Sequence, residues 1–311
     1  MNSLRIRFVS VCSCVLILTL ALGASTKKKK FDLKCHPFKA LEVAHPIDSL
    51  CPSPTGNVTD KTSGHALQNL AKNNFCATEP FSDISHNNLL QLEKTVEKLP
   101  GFPTWDRDHY PDSRKDFTNT GGTFNEGAAV RYTGYVFEAH AADTSGGESV
   151  NCDQSGAAPN DVHIALVPDS KATAEDECTS ITAEMSPHYR PTKWTGQGIS
   201  SRLAAFVWDP TTKKYVPNKA AKHNLVRVSG QLMFDAPHKP CVSGKGSPAR
   251  ASLWEVHPVY QMDVCTKTAD GSCADSDWQP LDKWLAAHSA TKPAAKPATK
   301  TGTKPHKGPS T

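Results

Sequence analysis

The chain lacks the short signatures that usually announce an activity. It has no Cys-x-x-Cys pair, so neither a zinc ribbon nor a thioredoxin-like redox site is suggested. It also has no H-E-x-x-H helix, no G-x-S-x-G turn, no P-loop and no dinucleotide fingerprint. Beyond the first residues, no apolar run approaches the roughly 20 residues needed to span a bilayer. Both ends lack acid: residues 1–30 and 291–311 hold 11 of the 35 Lys and Arg and no Asp or Glu. Without those ends, 24 basic residues face 31 acidic ones, a net −7, whereas the whole chain is +4. A phosphate-tracking surface needs a basic face, so nucleic-acid binding is not expected of the body.

The ends carry their own information. MNSLRIR holds two arginines, Phe8 to Leu22 is almost continuously apolar, and Gly23, Ala24 and Ser25 are small. That order describes a secretory signal peptide, residues 1–23, cleaved after Gly23. An uncleaved anchor flanked by Lys27–Lys30 is the competing reading. The expected location is secreted or periplasmic. Residues 289–311 are rich in Lys, Pro and Ala and predict a disordered basic tail. Such a tail is either a solubilising spacer or a contact for an anionic wall polymer or membrane surface.

Eight cysteines follow the signal peptide: Cys35, Cys51, Cys76, Cys152, Cys178, Cys241, Cys265 and Cys273. An even number in an exported chain predicts disulfides. Proximity in sequence favours Cys265–Cys273 and Cys51–Cys76 and leaves the others open. Cys152 is the one candidate thiol nucleophile, with His163 as base, but an oxidising compartment favours a bridge. Asn57-Val58-Thr59 is a glycosylation acceptor only in a eukaryotic source.

Four regions follow the signal peptide. Residues 24–60 are irregular and rich in Cys and Pro, and 61–127 form a helical N-terminal segment and linker. In the second region Ala66, Leu67, Leu70 and Ala71 predict a helix over 63–74. Leu89, Leu90, Leu92, Val96 and Leu99 predict another, capped by Ser85 and stopped by Pro100-Gly101. Residues 101–127 lack periodicity and read as a linker or a draped loop, with Trp105 to Tyr110 as a turn. From 128 to 288 the period becomes two. Strands are expected at Ala129–Ala139, Asp161–Val167, Thr179–Met185, Leu225–Phe234 and Ser252–Val264, with one helix at Ile199–Trp208 and a closing helix through Leu281, Trp284 and Leu285. The fold class is mainly β with a few helices (α+β): an OB-like five-stranded barrel preceded by a small helical segment. The disordered tail completes the chain.

Alternation also sorts polar from apolar faces. Val162, Ile164, Ile181, Ala183, Val226, Val228, Trp254 and Val256 point to a core. Asp161, His163, Glu184, Arg227, Gln231, Glu255 and His257 fall on the opposite face, with Glu148 and Asn151 on the loop before. This set predicts a solvated outer face that binds an unknown ligand. The same imidazoles and carboxylates suit a divalent metal, which gives the rival reading: a metal-dependent hydrolase centred on His163 and His257 with Asp161, Glu184 and Glu255. No other cofactor is indicated. With no catalytic signature, the sequence favours a non-enzymatic binding module of the cell envelope; a wall-associated protein acting through its tail is the third reading.

The stretches QNLAKNNFCA (68–77), GESVNC (147–152), DVHIAL (161–166), AEMSPHYRP (183–191), VRVSGQLMFD (226–235) and LWEVHPV (253–259) together resemble an uncharacterised group of exported bacterial proteins with an OB-like β-domain. The resemblance spans most of residues 50–265. It implies bacterial export and this architecture, and it brings no known activity, ligand or catalytic residue. The lysine–proline tail and the extra cysteines are not part of that pattern.

Overall fold

The computed structural model describes residues 31–33, 35, 45–103, 109–142, 145–191, 193–246, 249–269 and 271–288. The expected signal peptide, the basic tail and most of the Trp105–Tyr110 turn lie outside them. The first three elements are short: α1 (Pro46–Leu50), α2 (Gly64–Lys72) and β1 (Ser82–Asp83). Next come α3 (His86–Val96), β2 (Ala129–Ala141), β3 (Val162–Val167) and β4 (Ile181–Met185). Then follow α4 (Gly196–Arg202), β5 (Phe206–Asp209), β6 (Lys214–Pro217), β7 (Leu225–Phe234) and β8 (Trp254–Cys265). The small pair β9 (Thr268–Ala269) and β10 (Ser272–Cys273), then β11 (Trp278–Pro280) and α5 (Leu281–Ala287), close the chain.

Five strands close on themselves. β2 pairs antiparallel with β3 and with β7, and β3 pairs antiparallel with β4. β4 lies parallel to β8, and β8 pairs antiparallel with β7, which completes the circuit. This is the barrel expected, with α4 between its third and fourth strands. Closure needs bends, and the register shifts twice near Ser229–Leu232. Gly230 sits in that bend because a Cβ there would lie 2.3 Å from the Pro258 carbonyl oxygen.

The barrel interior takes the apolar side of each strand. Val130, Val136, Ile164, Leu166, Ile181, Ala183, Val226, Val228, Trp254 and Val256 are buried in one cluster. Each fully buried Val, Leu or Ile contributes about 1.5–3 kcal/mol relative to exposure. Leu89, Leu92 and Val96 of α3, Ile199 of α4 and Leu281, Trp284 and Leu285 of α5 join the same core. The aperiodic stretch before β2 is packed: Phe117 meets Phe234 with ring centroids 4.4 Å apart. Ser85 caps α3 as the sequence predicts, its hydroxyl accepting from Asn88 N–H.

One predicted element divides in two. The helix expected over Ile199–Trp208 stops at Arg202, and Phe206–Asp209 pairs with Lys214–Pro217 as a hairpin. Ile199, Leu203 and Phe206 do share helical spacing. Phe206, however, joins a second apolar cluster with Tyr135, Phe137, Ala165, Val167 and Leu225, its ring 4.8 Å from that of Phe137. Packing against the outside of the barrel outweighs the local period.

Four disulfides join Cys35–Cys76, Cys51–Cys152, Cys178–Cys241 and Cys265–Cys273. The short-range bridge predicted at Cys265–Cys273 is present. The predicted Cys51–Cys76 bridge is not: Cys51 finds its partner 101 residues later, and Cys76 pairs backwards with Cys35. Tertiary contact decides these partners, so nearness in sequence misleads. Cys152 is bridged, which removes it as a thiol nucleophile. Disulfides at this density fit an oxidising, extracellular or periplasmic compartment. Among the described residues, no helix is long and apolar enough to cross a membrane.

Candidate functional site

The site grows from the register of three strands. His163 on β3 lies directly opposite Glu184 on β4. Ala183 faces Val256 across the parallel pair, so Glu184 lies beside Glu255 and His257 on β8. Their side chains project outward from the barrel, as alternation predicts, but water does not reach most of them. Asp161 and His257 are 1% exposed, Glu184 is 1% and Glu255 is 0%. The face expected to be solvated is roofed.

The roof comes from the N-terminal segment. Lys72, the last residue of α2, places Nζ 3.1 Å from Glu184 Oε2 and 3.7 Å from Glu148 Oε1. Glu148 and Asn151 arrive on the turn before β3. The Asn151 amide donates to Asp161 Oδ1 at 3.2 Å, and Glu148 Oε2 accepts from the Asp161 backbone N–H. Cys51, at the C-cap of α1, ties that turn down through Cys152. Gly56 fits against the same turn: its φ is +59°, and a Cβ would fall 1.8 Å from the Ser149 carbonyl oxygen. Arg190 fixes the neighbouring loop by donating to the carbonyls of Ala157, Ala158, Asn160 and Met185.

Glu184 is the centre of this network. One oxygen stands 2.7 Å from His257 Nδ1 and the other 3.3 Å from His163 Nε2. Burial opposes its charge, yet His163, Lys72 and His257 hold the Glu184 carboxyl well below the usual carboxylate range. Burial likewise opposes charge on His163, and the Glu184 and Glu148 carboxylates overcome it, carrying the imidazole up to about 9. Burial and the nearby Glu184 charge push Glu255 the other way, to about 8. Arg250 donates to Glu255 at 2.8 Å and to Asp235 at 2.6 Å, and Asp235 also accepts from Gln68 of α2. The result is a network in which Lys72 and His163 face Glu184 and Arg250 faces Asp235, so that each buried cation has a carboxylate partner, as burial requires.

Seven of the nine residues singled out from the sequence therefore meet: Glu148, Asn151, Asp161, His163, Glu184, Glu255 and His257. Arg227 is not among them. It pairs with Asp263 at 2.8 Å and lies over the Trp278 ring. Gln231 shares the outward parity but is buried in the β7 bend, and its amide finds no hydrogen-bond partner among the described residues. Sequence reasoning missed Lys72, Arg190, Asp235 and Arg250. For α2 a signal existed: Gln68, Asn69 and Lys72 recur at helical spacing and are all buried, while Leu67 and Leu70 are only partly so. The helix presents a polar stripe inward.

Two cavities adjoin the cluster. One of about 330 Å³ is lined by His163, Arg250, Glu138, His140, Glu177 and Tyr215. A larger one of about 1010 Å³ runs past Ile47, Leu50, Ser155, Arg190 and Gln197. Glu138, His140 and Trp208 belong to both, so the two are parts of one cleft. His163 is the member of the cluster open to it, with 27% of its side chain exposed. Trp208 stands 54% exposed at the junction. The chain matches no protein-family model, no curated protein and no solved structure. What the fold and site define is a closed OB-like barrel with a roofed ionic cluster behind an open cleft.

Proposed function

We propose that the protein is an exported, non-enzymatic binding module that takes a hydroxyl-rich ligand, an oligosaccharide of the cell envelope, in this cleft. The observation that carries the reading is Trp208. A largely exposed indole lines the same cavity as Glu138, His140, His163 and Glu177, and sugars are held by that combination of an aromatic face and fixed polar groups. The binding surface is the cleft at the edge of the polar face, because the face itself is roofed. Export through a signal peptide cleaved near Gly23 is supported by the four disulfides. The basic tail adds attraction to anionic wall polymers or membrane surface.

Titration with soluble peptidoglycan fragments and neutral oligosaccharides, followed by tryptophan emission, tests the proposal. A saturable change is expected in the wild type and its loss in Trp208→Ala. No response to any member of that panel overturns it. Removing residues 289–311 separates the tail's share: unchanged retention on isolated cell walls would assign the tail no role. The hydrolase reading has weaker support, since a catalytic ion needs a position open to substrate and Glu184, Asp161 and His257 are closed from solvent.

A further inference from the structure

We infer that the chain's own C-terminal segment, residues 289–311, docks in the cleft as a tethered ligand that any external one must displace. The cleft has room for a stretch of backbone. Its larger part, about 1010 Å³, stands at the upper end of the range for small-molecule pockets, about 300–1,000 Å³. Its wall is largely small and apolar, with Ile47, Leu50, Ala157, Pro159 and Pro187 beside Trp208. Leu50 and Trp208 are both more than half exposed, so this apolar surface lies open to a partner.

Charge selects the partner. Among the described residues, no lysine lines either part of the cleft. The arginines there are occupied: Arg190 donates to four carbonyls, and Arg250 pairs with Asp235 and Glu255. His163 is answered by Glu184. Glu138 and Glu177 have no such cation. His140 Nδ1 stands 2.9 Å from Glu138, and the Tyr215 hydroxyl donates to Glu177. The charge left over in the cleft is negative, which fits a cationic chain and not an anionic polymer.

Residues 289–311 supply that chemistry. They hold five lysines, four prolines and no acid, and their apolar residues are all Pro and Ala. Proline-rich backbone is extended before it binds, loses little entropy on docking and suits grooves with an aromatic wall. Lysine stems add apolar contact while their ammonium groups reach carboxylates.

The point of departure is close. α5 ends beside α4: Arg202 Nη1 donates to the Leu285 carbonyl at 3.1 Å, and Lys193 pairs with Asp282 at 2.7 Å. Gln197, Ser200 and Ser201 of α4 line the cleft. α4 has 7 residues and is therefore about 10 Å long. At about 3.1 Å per residue, about four residues carry an extended segment along α4 and leave the rest for the cleft.

The test uses a fluorescein-labelled peptide of residues 289–311. It is titrated into the oxidised full chain and into a chain ending at His288, which keeps every described element. Saturable anisotropy is expected with the shortened chain, weakened at least tenfold by Trp208→Ala and by replacing the five peptide lysines with glutamine. The full chain should bind the peptide about tenfold more weakly. That factor follows from an effective concentration on the order of 1 mM for the tethered segment against a peptide Kd on the order of 100 μM. No saturable binding to the shortened chain overturns the inference. Equal affinity for the two chains, or binding indifferent to Trp208→Ala, does the same, because the segment would then sit elsewhere or on a second copy. The inference needs the cleft but not a glycan in it. If no glycan binds either chain, the glycan reading fails while the peptide result stands.

Discussion

The outside of the barrel is covered twice, by different means. Its apolar half, around Tyr135, Phe137, Ala165 and Val167, is covered by the hairpin of Phe206 and Tyr215, which follows β4 closely in sequence. Its polar half, around Glu184 and His257, is covered by α2 and the 148–151 turn, held by Lys72 and by a disulfide whose cysteines are 101 positions apart. Apolar contact is non-directional, so the first cover needs only the right volume. Buried charge tolerates only a matched partner, so the second needs a particular atom at a particular place. The half that is harder to cover is where specific chemistry is concentrated.

The comparison breaks most sharply at Lys72. Lys72→Met conserves length and removes one charge, leaving Glu184 and Glu148 without their ammonium. A loss of about 3–5 kcal/mol in chemical denaturation is expected. Replacing Cys51 and Cys152 together by serine should cost about 2–4 kcal/mol. Hydrogen exchange should then speed up in α2 and the 148–151 turn while the hairpin stays protected; equal loosening of both would show that the two covers are not independent. On the apolar side, Phe206→Leu should cost only about 1 kcal/mol, because a hydrophobic replacement can repack there.

The smallest effect expected is on pH dependence. Burial, and then the Glu138 charge, push the Glu177 carboxyl up to about 7, against the ordinary 4.5, beside the Tyr215 hydroxyl of the hairpin. Between those values the folded chain keeps a proton that the unfolded chain has released, so stability falls as pH rises through the window. Above about 7 the loss is complete, on the order of 1 kcal/mol once solvent screening is allowed for. Glu177→Gln should flatten that part of a melting-temperature profile. An unchanged slope would place the charge repulsion elsewhere.

Much of the barrel was legible because period two reports directly which side of a strand an atom occupies. The strand Leu225–Phe234 appears with its predicted bounds, and Ser85 caps the helix it was expected to cap. The same period says nothing of what covers a face. Asp161, His163, Glu184, Glu255 and His257 were therefore recognised as a group, but all except His163 were wrongly placed in water. The cover is built from residues 45–76, far away along the chain, and its key contributor, Lys72, resembles any helical surface lysine. Arg227 fails for the opposite reason: parity put it on the correct side, but the sheet is long, and Asp263 claims it at the other end. Cys51 and Cys152 could be paired only by knowing the contact that the pairing creates.

That bridge also dates the site. The barrel strands span residues 129–265 and close through their own hydrogen bonds, without the N-terminal segment. Covalent attachment of the cover to the 148–152 turn waits for oxidation, which a reducing cytoplasm withholds. The covalent seal over the charged face is therefore made only where thiols are oxidised. A chain retained inside the cell would hold the same residues in a weakly fastened enclosure.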